Sequence, residues 1–122
     1  MFLEHVNMTV ADLDRSVDFY CQLLGFHVRW RGTTGQGSPA AHVGNDQYYL
    51  AIFEAAKPGT GNPEYDTVGL NHIGFVVDDL DGLRARVHEL GMTVHHESDD
   101  EPGHRFYFFD PDGIEIEFVT YA

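Results

Sequence analysis

The chain has 122 residues, 43% hydrophobic and 13% aromatic, which predicts one compact globular domain spanning residues 1–122. Asp and Glu number 20 against 7 Lys and Arg, giving a formal net charge of −13. This acidity argues against a nucleic-acid or anionic-membrane surface, because both partners would be repelled. The single cysteine, Cys21, cannot form an internal disulfide, so a reducing cytoplasmic location is expected.

The first part of the chain predicts a strand, then a helix, then further strands. From His5 to Val10 apolar residues alternate with polar ones, which indicates a strand. Asp12 suits a helix N-cap, and the apolar residues after it recur at three- and four-residue steps, as in an amphipathic helix. Gly25 suits the helix C-terminus. A later strand at 48–53 follows a Gly-Asn-Asp turn.

The second part of the chain repeats this order. The segment 70–81 matches the segment 3–14 at one constant offset, sharing Leu, His, Val and an Asp-Leu-Asp run. We therefore predict an α+β fold of two pseudo-symmetric βαβββ modules, with the helices on the outer face of the sheets. Module 1 is expected at about 1–56, a linker at about 57–68 and module 2 at about 69–122.

Three side chains suited to a metal belong to the polar face of the predicted strands. His5 and His72 are equivalent positions of the two repeats, so two-fold pseudo-symmetry would bring them face to face. Glu117 lies mid-strand between Ile116 and Phe118, where a carboxylate is costly unless it is paired or ligated. Two imidazoles and one carboxylate form a facial triad for a divalent ion: iron(II), manganese, nickel or zinc.

The repeat also defines a fourth ligand position. The counterpart of Glu117 in the first repeat is Ala51, which cannot bind a metal. Glu54 is near, but three residues along a regular strand place it on the opposite face. A bulge in the strand is the alternative that would make Glu54 a ligand.

The same residues resemble the vicinal oxygen chelate superfamily, which includes glyoxalase I, extradiol dioxygenases, fosfomycin resistance enzymes and bleomycin resistance proteins. The motifs that carry the resemblance are His5, the runs 12–20 and 24–26, Leu70-Asn-His-Ile-Gly74, Phe109-Asp-Pro-Asp-Gly113 and Ile116-Glu-Phe118.

The resemblance implies a cup-shaped curved sheet and a metal-dependent enzyme of dioxygenase, lyase or isomerase type. Its small-molecule substrate would chelate the metal through adjacent oxygens. His5, His72 and Glu117 take the ligand roles, and Ala51 departs from the glyoxalase I pattern in favour of the extradiol and fosfomycin enzymes. The alternative is a metal-free drug-binding protein similar to the bleomycin resistance proteins.

The resemblance also implies further site residues and an assembly. Tyr107 lies where extradiol enzymes place an active-site tyrosine, although packing alone would also explain an aromatic residue there. His42 is the best candidate among the remaining histidines for a place beside the metal. Small members of the superfamily build each site from two chains, so a homodimer with shared sites is expected.

Overall fold

The computed structural model describes residues 1–99 and 102–121. The chain divides into two compact units, Met1–Gly59 (unit 1) and Thr60–Ala122 (unit 2). Each unit consists of a strand, a helix and three further strands. In chain order the elements are β1 (His5–Val10), α1 (Leu13–Leu24), β2 (His27–Thr33), β3 (Pro39–Gly44), β4 (Tyr49–Glu54), β5 (His72–Val76), α2 (Leu80–Glu89), β6 (Val94–Ser98), β7 (His104–Phe109) and β8 (Glu115–Thr120).

The two units have the same sheet topology. The strand order is β1-β4-β3-β2 in unit 1 and β5-β8-β7-β6 in unit 2. The first and last strands of each unit pair in parallel, and the other neighbours are antiparallel. The predicted α+β fold with two pseudo-symmetric βαβββ modules is therefore confirmed.

The helices begin where the sequence places their caps. The side chains of Asp12 and Asp79 each accept a hydrogen bond from the backbone N–H three residues later, at 3.1 and 2.9 Å. Gly25 ends α1 with φ 67°, and Gly91 follows α2 with φ 88°. In the part of the chain that the structure describes, no helix is both long and apolar enough to cross a membrane.

Each unit buries one side of its sheet beneath its helix. In unit 1 the largest buried apolar side chains come from α1 and from the strands, and they are Val10, Tyr20, Leu23, Val43, Leu50 and Ile52. In unit 2 the corresponding set is Val87, Phe106, Phe108, Ile116 and Phe118. Because strand side chains alternate, the residues between these core positions lie on the other face of each sheet. That face carries the candidate site residues.

In both units a register shift interrupts the pairing of the outermost strand. Register shifts occur between Val28 and Trp30 in β2 and between His95 and Ser98 in β6. His96 has φ 51°, a left-handed conformation that is uncommon for a residue other than glycine. Such bulges place neighbouring side chains on the same face of a sheet, where a regular strand would alternate them.

Candidate metal centre

Strand pairing gives each candidate residue a defined neighbour. In unit 1, Ala51 lies between Asn7 on β1 and His42 on β3. In unit 2, Glu117 lies between Gly74 on β5 and Tyr107 on β7. Ala51 is thus the structural counterpart of Glu117, as the repeat predicts.

His72 and Glu117 lie side by side on the polar face of unit 2. His72 Nε2 is 2.9 Å from Glu117 Oε1, and Glu117 is only 7% exposed. The Tyr65 hydroxyl is 3.1 Å from the other ring nitrogen of His72, Nδ1. Because that hydroxyl donates its proton to Glu115, it accepts from His72 Nδ1–H. The nitrogen that remains for a metal is therefore Nε2, next to the carboxylate.

His5 in unit 1 is held in the same way. Its Nδ1 is 2.9 Å from Glu4 Oε1, and a carboxylate can only accept from that nitrogen. Glu4 also accepts from the Tyr49 hydroxyl at 3.1 Å, and the His5 ring stacks on Tyr49 with centroids 4.9 Å apart. The hydrogen bond from His5 lowers the pKa of Glu4 below its usual value. His5 thus also keeps Nε2 for a ligand, the arrangement that partners of metal-binding histidines enforce.

A second buried carboxylate supports the His72 side of the site. Glu115 is 4% exposed; it accepts from the Tyr65 hydroxyl and lies 2.8 Å from His95 Nε2. Burial disfavours its ionised form, but these hydrogen bonds outweigh burial and lower its pKa. Burial and the bond to Glu115 raise the pKa of Tyr65 to about 12, so this phenol stays neutral at physiological pH.

Arg105 forms an ion pair with the second carboxylate oxygen of Glu117. Its Nη1 donates to Glu117 Oε2 at 2.9 Å, and the two side chains are 23% and 10% exposed. The buried carboxylate is therefore paired with a guanidinium on one oxygen and with an imidazole on the other. A metal held by His72 Nε2 and Glu117 Oε1 would leave the Arg105 contact to Oε2 in place.

Glu54 is not available as a fourth ligand. Its Oε2 accepts from the backbone N–H of Leu13 at 3.0 Å, at the first turn of α1. The strand that carries it pairs with β1 and β3 in regular register, so no bulge turns Glu54 to the polar face. The alternative in which a bulge would make it a ligand is wrong, because Glu54 lies on the helix side of the sheet and caps α1.

The metal-ligand set is incomplete within either unit. Among residues 1–99 and 102–121, no group of three or more His, Cys, Asp and Glu side chains converges as a metal site would require. Unit 2 supplies two donors of suitable type and separation, His72 Nε2 and Glu117 Oε1. The chemistry of these two donors fits a divalent ion, and no third donor of these types joins them among the residues that the structure describes.

The other two predicted site residues hold equivalent positions. Tyr107 presents its ring at 5.3 Å from the His72 ring, edge to face. Burial and the nearby charge of Glu117 raise its pKa. His42 stacks on Tyr49 with centroids 4.6 Å apart. Burial, with His5 and Arg29 close by, lowers the pKa of His42 and favours the neutral imidazole.

Unit 2 has a cavity beside these groups. Its volume is about 340 Å³, and the residues that line it are Tyr65, His96, Tyr107 and Glu115. This volume lies in the range of small-molecule sites, which commonly span about 300–1,000 Å³.

Sequence reasoning missed several of the supporting residues. Tyr65 lies in the segment predicted as a linker, where no periodicity signals its partners. The segment 60–62 packs against the β7–β8 turn, and Gly61 N–H donates to Asp112 at 2.9 Å. Strand alternation does place Glu115 on the same face as Glu117, but it does not indicate the hydrogen bonds of Glu115 to Tyr65 and His95. His95 lies opposite Tyr107, ahead of the register shift in β6, and its hydrogen bond to Glu115 is the part that the sequence does not reveal.

Comparison with known proteins assigns the family. The sequence pattern of the Glyoxalase/Bleomycin resistance protein/Dioxygenase superfamily matches residues 2–118. Glutathione transferase FosA of Serratia marcescens is 32% identical over 117 residues, which are 94% of this chain and 77% of that protein. Catechol-2,3-dioxygenase of Bacillus subtilis (strain 168) is 31% identical over 119 residues, 95% of this chain but 40% of that enzyme.

A solved structure agrees with the sequence relatives. The crystal structure of a glyoxylase/bleomycin resistance protein/dioxygenase domain from Frankia sp. EAN1pec superposes with a TM-score of 0.84. It is 27% identical in sequence, and the match covers 98% of this chain and 97% of that chain. The protein therefore belongs to the Glyoxalase/Bleomycin resistance protein/Dioxygenase superfamily, also called the vicinal oxygen chelate superfamily.

Proposed function

We propose that this protein is a metal-dependent enzyme that binds a small substrate through adjacent oxygens, with His5, His72 and Glu117 as metal ligands. The observation that carries the proposal is the contact of His72 Nε2 with Oε1 of the buried Glu117, 2.9 Å apart, with Nδ1 of the same ring held by Tyr65. An imidazole oriented through one nitrogen and aimed at a carboxylate with the other is a typical half of a metal site.

The fourth ligand position, where Ala51 stands, bears on which reaction the site suits. A bound divalent ion would supply Lewis-acid activation of a substrate oxygen. Tyr107, which is kept neutral, donates a hydrogen bond to a substrate oxygen. His42, whose pKa is lowered mainly by burial, would accept a proton from a hydroxyl of the bound substrate. Since Ala51 removes the fourth protein ligand, the site suits an extradiol-dioxygenase-like or fosfomycin-enzyme-like reaction better than a closed glyoxalase-like one.

Metal binding to the purified protein tests the proposal. Titration calorimetry with Mn²⁺, Fe²⁺, Ni²⁺ and Zn²⁺ should give about one equivalent per chain for at least one ion. His72→Ala and Glu117→Gln should abolish this binding, and His27→Ala, which removes an exposed strand histidine, should leave it unchanged. Binding that survives both ligand substitutions, or that is absent from the wild-type protein, contradicts the proposal.

We further propose a homodimer in which His5 of one chain joins His72 and Glu117 of the other. Mixed dimers of His5→Ala and His72→Ala chains test this directly. If the ligands come from two chains, each mixed dimer contains one intact site and recovers about half of the metal binding. If all ligands come from one chain, neither chain of the mixture has a complete site and no binding returns.

A second candidate function is metal-free small-molecule sequestration. The observation that favours it is the Arg105–Glu117 ion pair, because Glu117 is electrostatically satisfied without a metal.

Oxygen uptake with catechols in the presence of ferrous iron separates the dioxygenase branch from the other enzymes. Tight binding of a drug-like ligand by chelator-treated protein, together with no metal binding, would establish sequestration instead.

A further inference from the structure

Unit 1 has a cavity of its own, outside the proposed ligand set. Its volume is about 450 Å³, and it lies on the polar face of β2, β3 and β4. The seven lining residues are Trp30, Thr34, Gly35, Gln36, Ala40, His42 and Phe53. None of the seven is Lys, Arg, Asp or Glu, although the whole chain carries a formal charge of −13. An uncharged ligand therefore suits this cavity.

The cavity lies where two small residues, Gly32 and Ala40, face each other on neighbouring strands. Ala40 lies opposite Gly32 on β2 and opposite Phe53 on β4. By the repeat, Ala40 holds the place that Arg105 holds in unit 2, where the long guanidinium side chain reaches Glu117. Unit 1 has alanines, Ala51 and Ala40, at the positions of both the acid and the base of that pair, and the space lies between aromatic walls.

One of these walls is the flat indole ring of Trp30, which packs against the backbone of its own strand. The register shift between Val28 and Trp30 brings Trp30 opposite His42, with their ring centroids 4.9 Å apart. The indole lies over Gly32 in its own strand: a Cβ at that glycine would be 2.5 Å from Trp30 Cζ2. Trp30 as a residue is nevertheless 44% exposed, so it is covered on one side and open to solvent on another.

Polar groups lie at the rim of the same cavity. The Thr34 hydroxyl oxygen accepts from the backbone N–H groups of Gln36 and Ser38, at 3.3 and 3.1 Å. A hydroxyl that accepts twice still has its own proton to donate. Aromatic walls with a few polar groups at one end are the usual composition of a small-molecule site.

We propose that this cavity binds an uncharged planar aromatic ring, stacked on Trp30 and bounded by His42 and Phe53, with a polar substituent at Thr34. The flat indole favours an aromatic ring over a saturated ring of similar size, because stacked rings contact over their whole faces. No proposed metal ligand lines the cavity, and His42 is the lining residue that it shares with the proposed active site, so ring binding can be tested separately from metal binding.

Trp30 is the only tryptophan in the sequence, so its indole N–H gives a single reporter signal. Benzamide and cyclohexanecarboxamide, which share an amide and differ in ring planarity, are titrated into the full-length chain. The ¹H–¹⁵N indole cross-peak is followed with metal and after chelation. Benzamide should shift the cross-peak with a Kd on the order of 1 mM under both conditions, as expected for a ligand of this size. Cyclohexanecarboxamide should bind more weakly.

Two glycine variants provide the matched comparison. Gly32→Ala should displace the indole and weaken benzamide binding by roughly 2- to 12-fold, the loss expected for one stacked aromatic pair. Gly59→Ala, where a Cβ meets open space, should leave the affinity unchanged. Equal binding of the two amides, no shift with either, or unchanged affinity in Gly32→Ala overturns the proposal. A cross-peak that depends on protein concentration and not on benzamide would show instead that a second copy of the chain covers Trp30.

Discussion

Ala51 and Glu117 hold the same place in two sheets of identical strand order. Ala51 pairs with Asn7 and His42, and Glu117 pairs with Gly74 and Tyr107. Both positions are buried, at 5% and 7% exposure. One unit therefore offers a carboxylate at this point, and the other offers a methyl group.

Ala51→Glu should restore the missing ligand. We expect the metal affinity to rise by about 10-fold or more, because a fourth donor, which is anionic, joins the two imidazoles and the Glu117 carboxylate. The metal-free variant should be less stable by about 1–3 kcal/mol, since the new buried carboxylate has no arginine partner. Calorimetry with Mn²⁺ and thermal unfolding in chelator measure the two effects. Unchanged metal affinity would show that this position does not face the metal.

Glu54→Ala should affect stability and not metal binding. The substitution removes the acceptor for the Leu13 N–H, and we expect a loss of about 1 kcal/mol, as for other helix-capping residues. Glu54→Gln keeps an oxygen acceptor and should lose less. Urea unfolding measures stability and calorimetry measures metal affinity. A large loss of metal affinity in either variant would return Glu54 to the list of ligands.

Arg105→Gln should lower the free energy of unfolding of the metal-free protein, measured by urea unfolding, because the buried Glu117 loses its cationic partner. Arg31→Gln is the control, since the Arg31–Asp14 pair is 46% and 88% exposed and surface pairs contribute about 0–1 kcal/mol. Metal affinity should rise in Arg105→Gln, because a positive charge beside the site is removed. Equal stability losses in the two variants would mean that Arg105 is not needed to neutralise Glu117.

The pKa of Tyr65 predicts a loss of stability in alkaline solution. Its folded-state pKa of about 12 lies above the ordinary value of 10.0, so the folded protein retains a proton that the unfolded chain releases. This contribution is complete below pH 10 and is lost as the pH rises towards 12. Tyr65→Phe should therefore show a shallower decline of unfolding free energy between about pH 10 and 12 than the wild type. Tyr121→Phe is the control, and identical slopes for wild type and Tyr65→Phe would refute the assignment.

The sequence determined the fold class because its signals are local and repeated. Alternation in β1, the Asp12 and Asp79 caps and the constant offset between the halves predict two βαβββ units, and the structure contains them. The repeat also identified Ala51 as the counterpart of Glu117, since strand pairing preserves the offset.

Only the tertiary structure decided which groups surround the candidate ligands. The hydrogen bonds from Tyr65, Arg105 and His95 to the carboxylates of Glu115 and Glu117 connect residues 12 to 50 positions apart, and no periodicity encodes such contacts. Register shifts occur beside Trp30 in β2 and beside His96 in β6, and each of these side chains lines a cavity. Regular alternation along the strands does not predict these two positions. Glu54 is the clearest case: its residue type suits a metal, but strand register places it at the N-terminus of a helix.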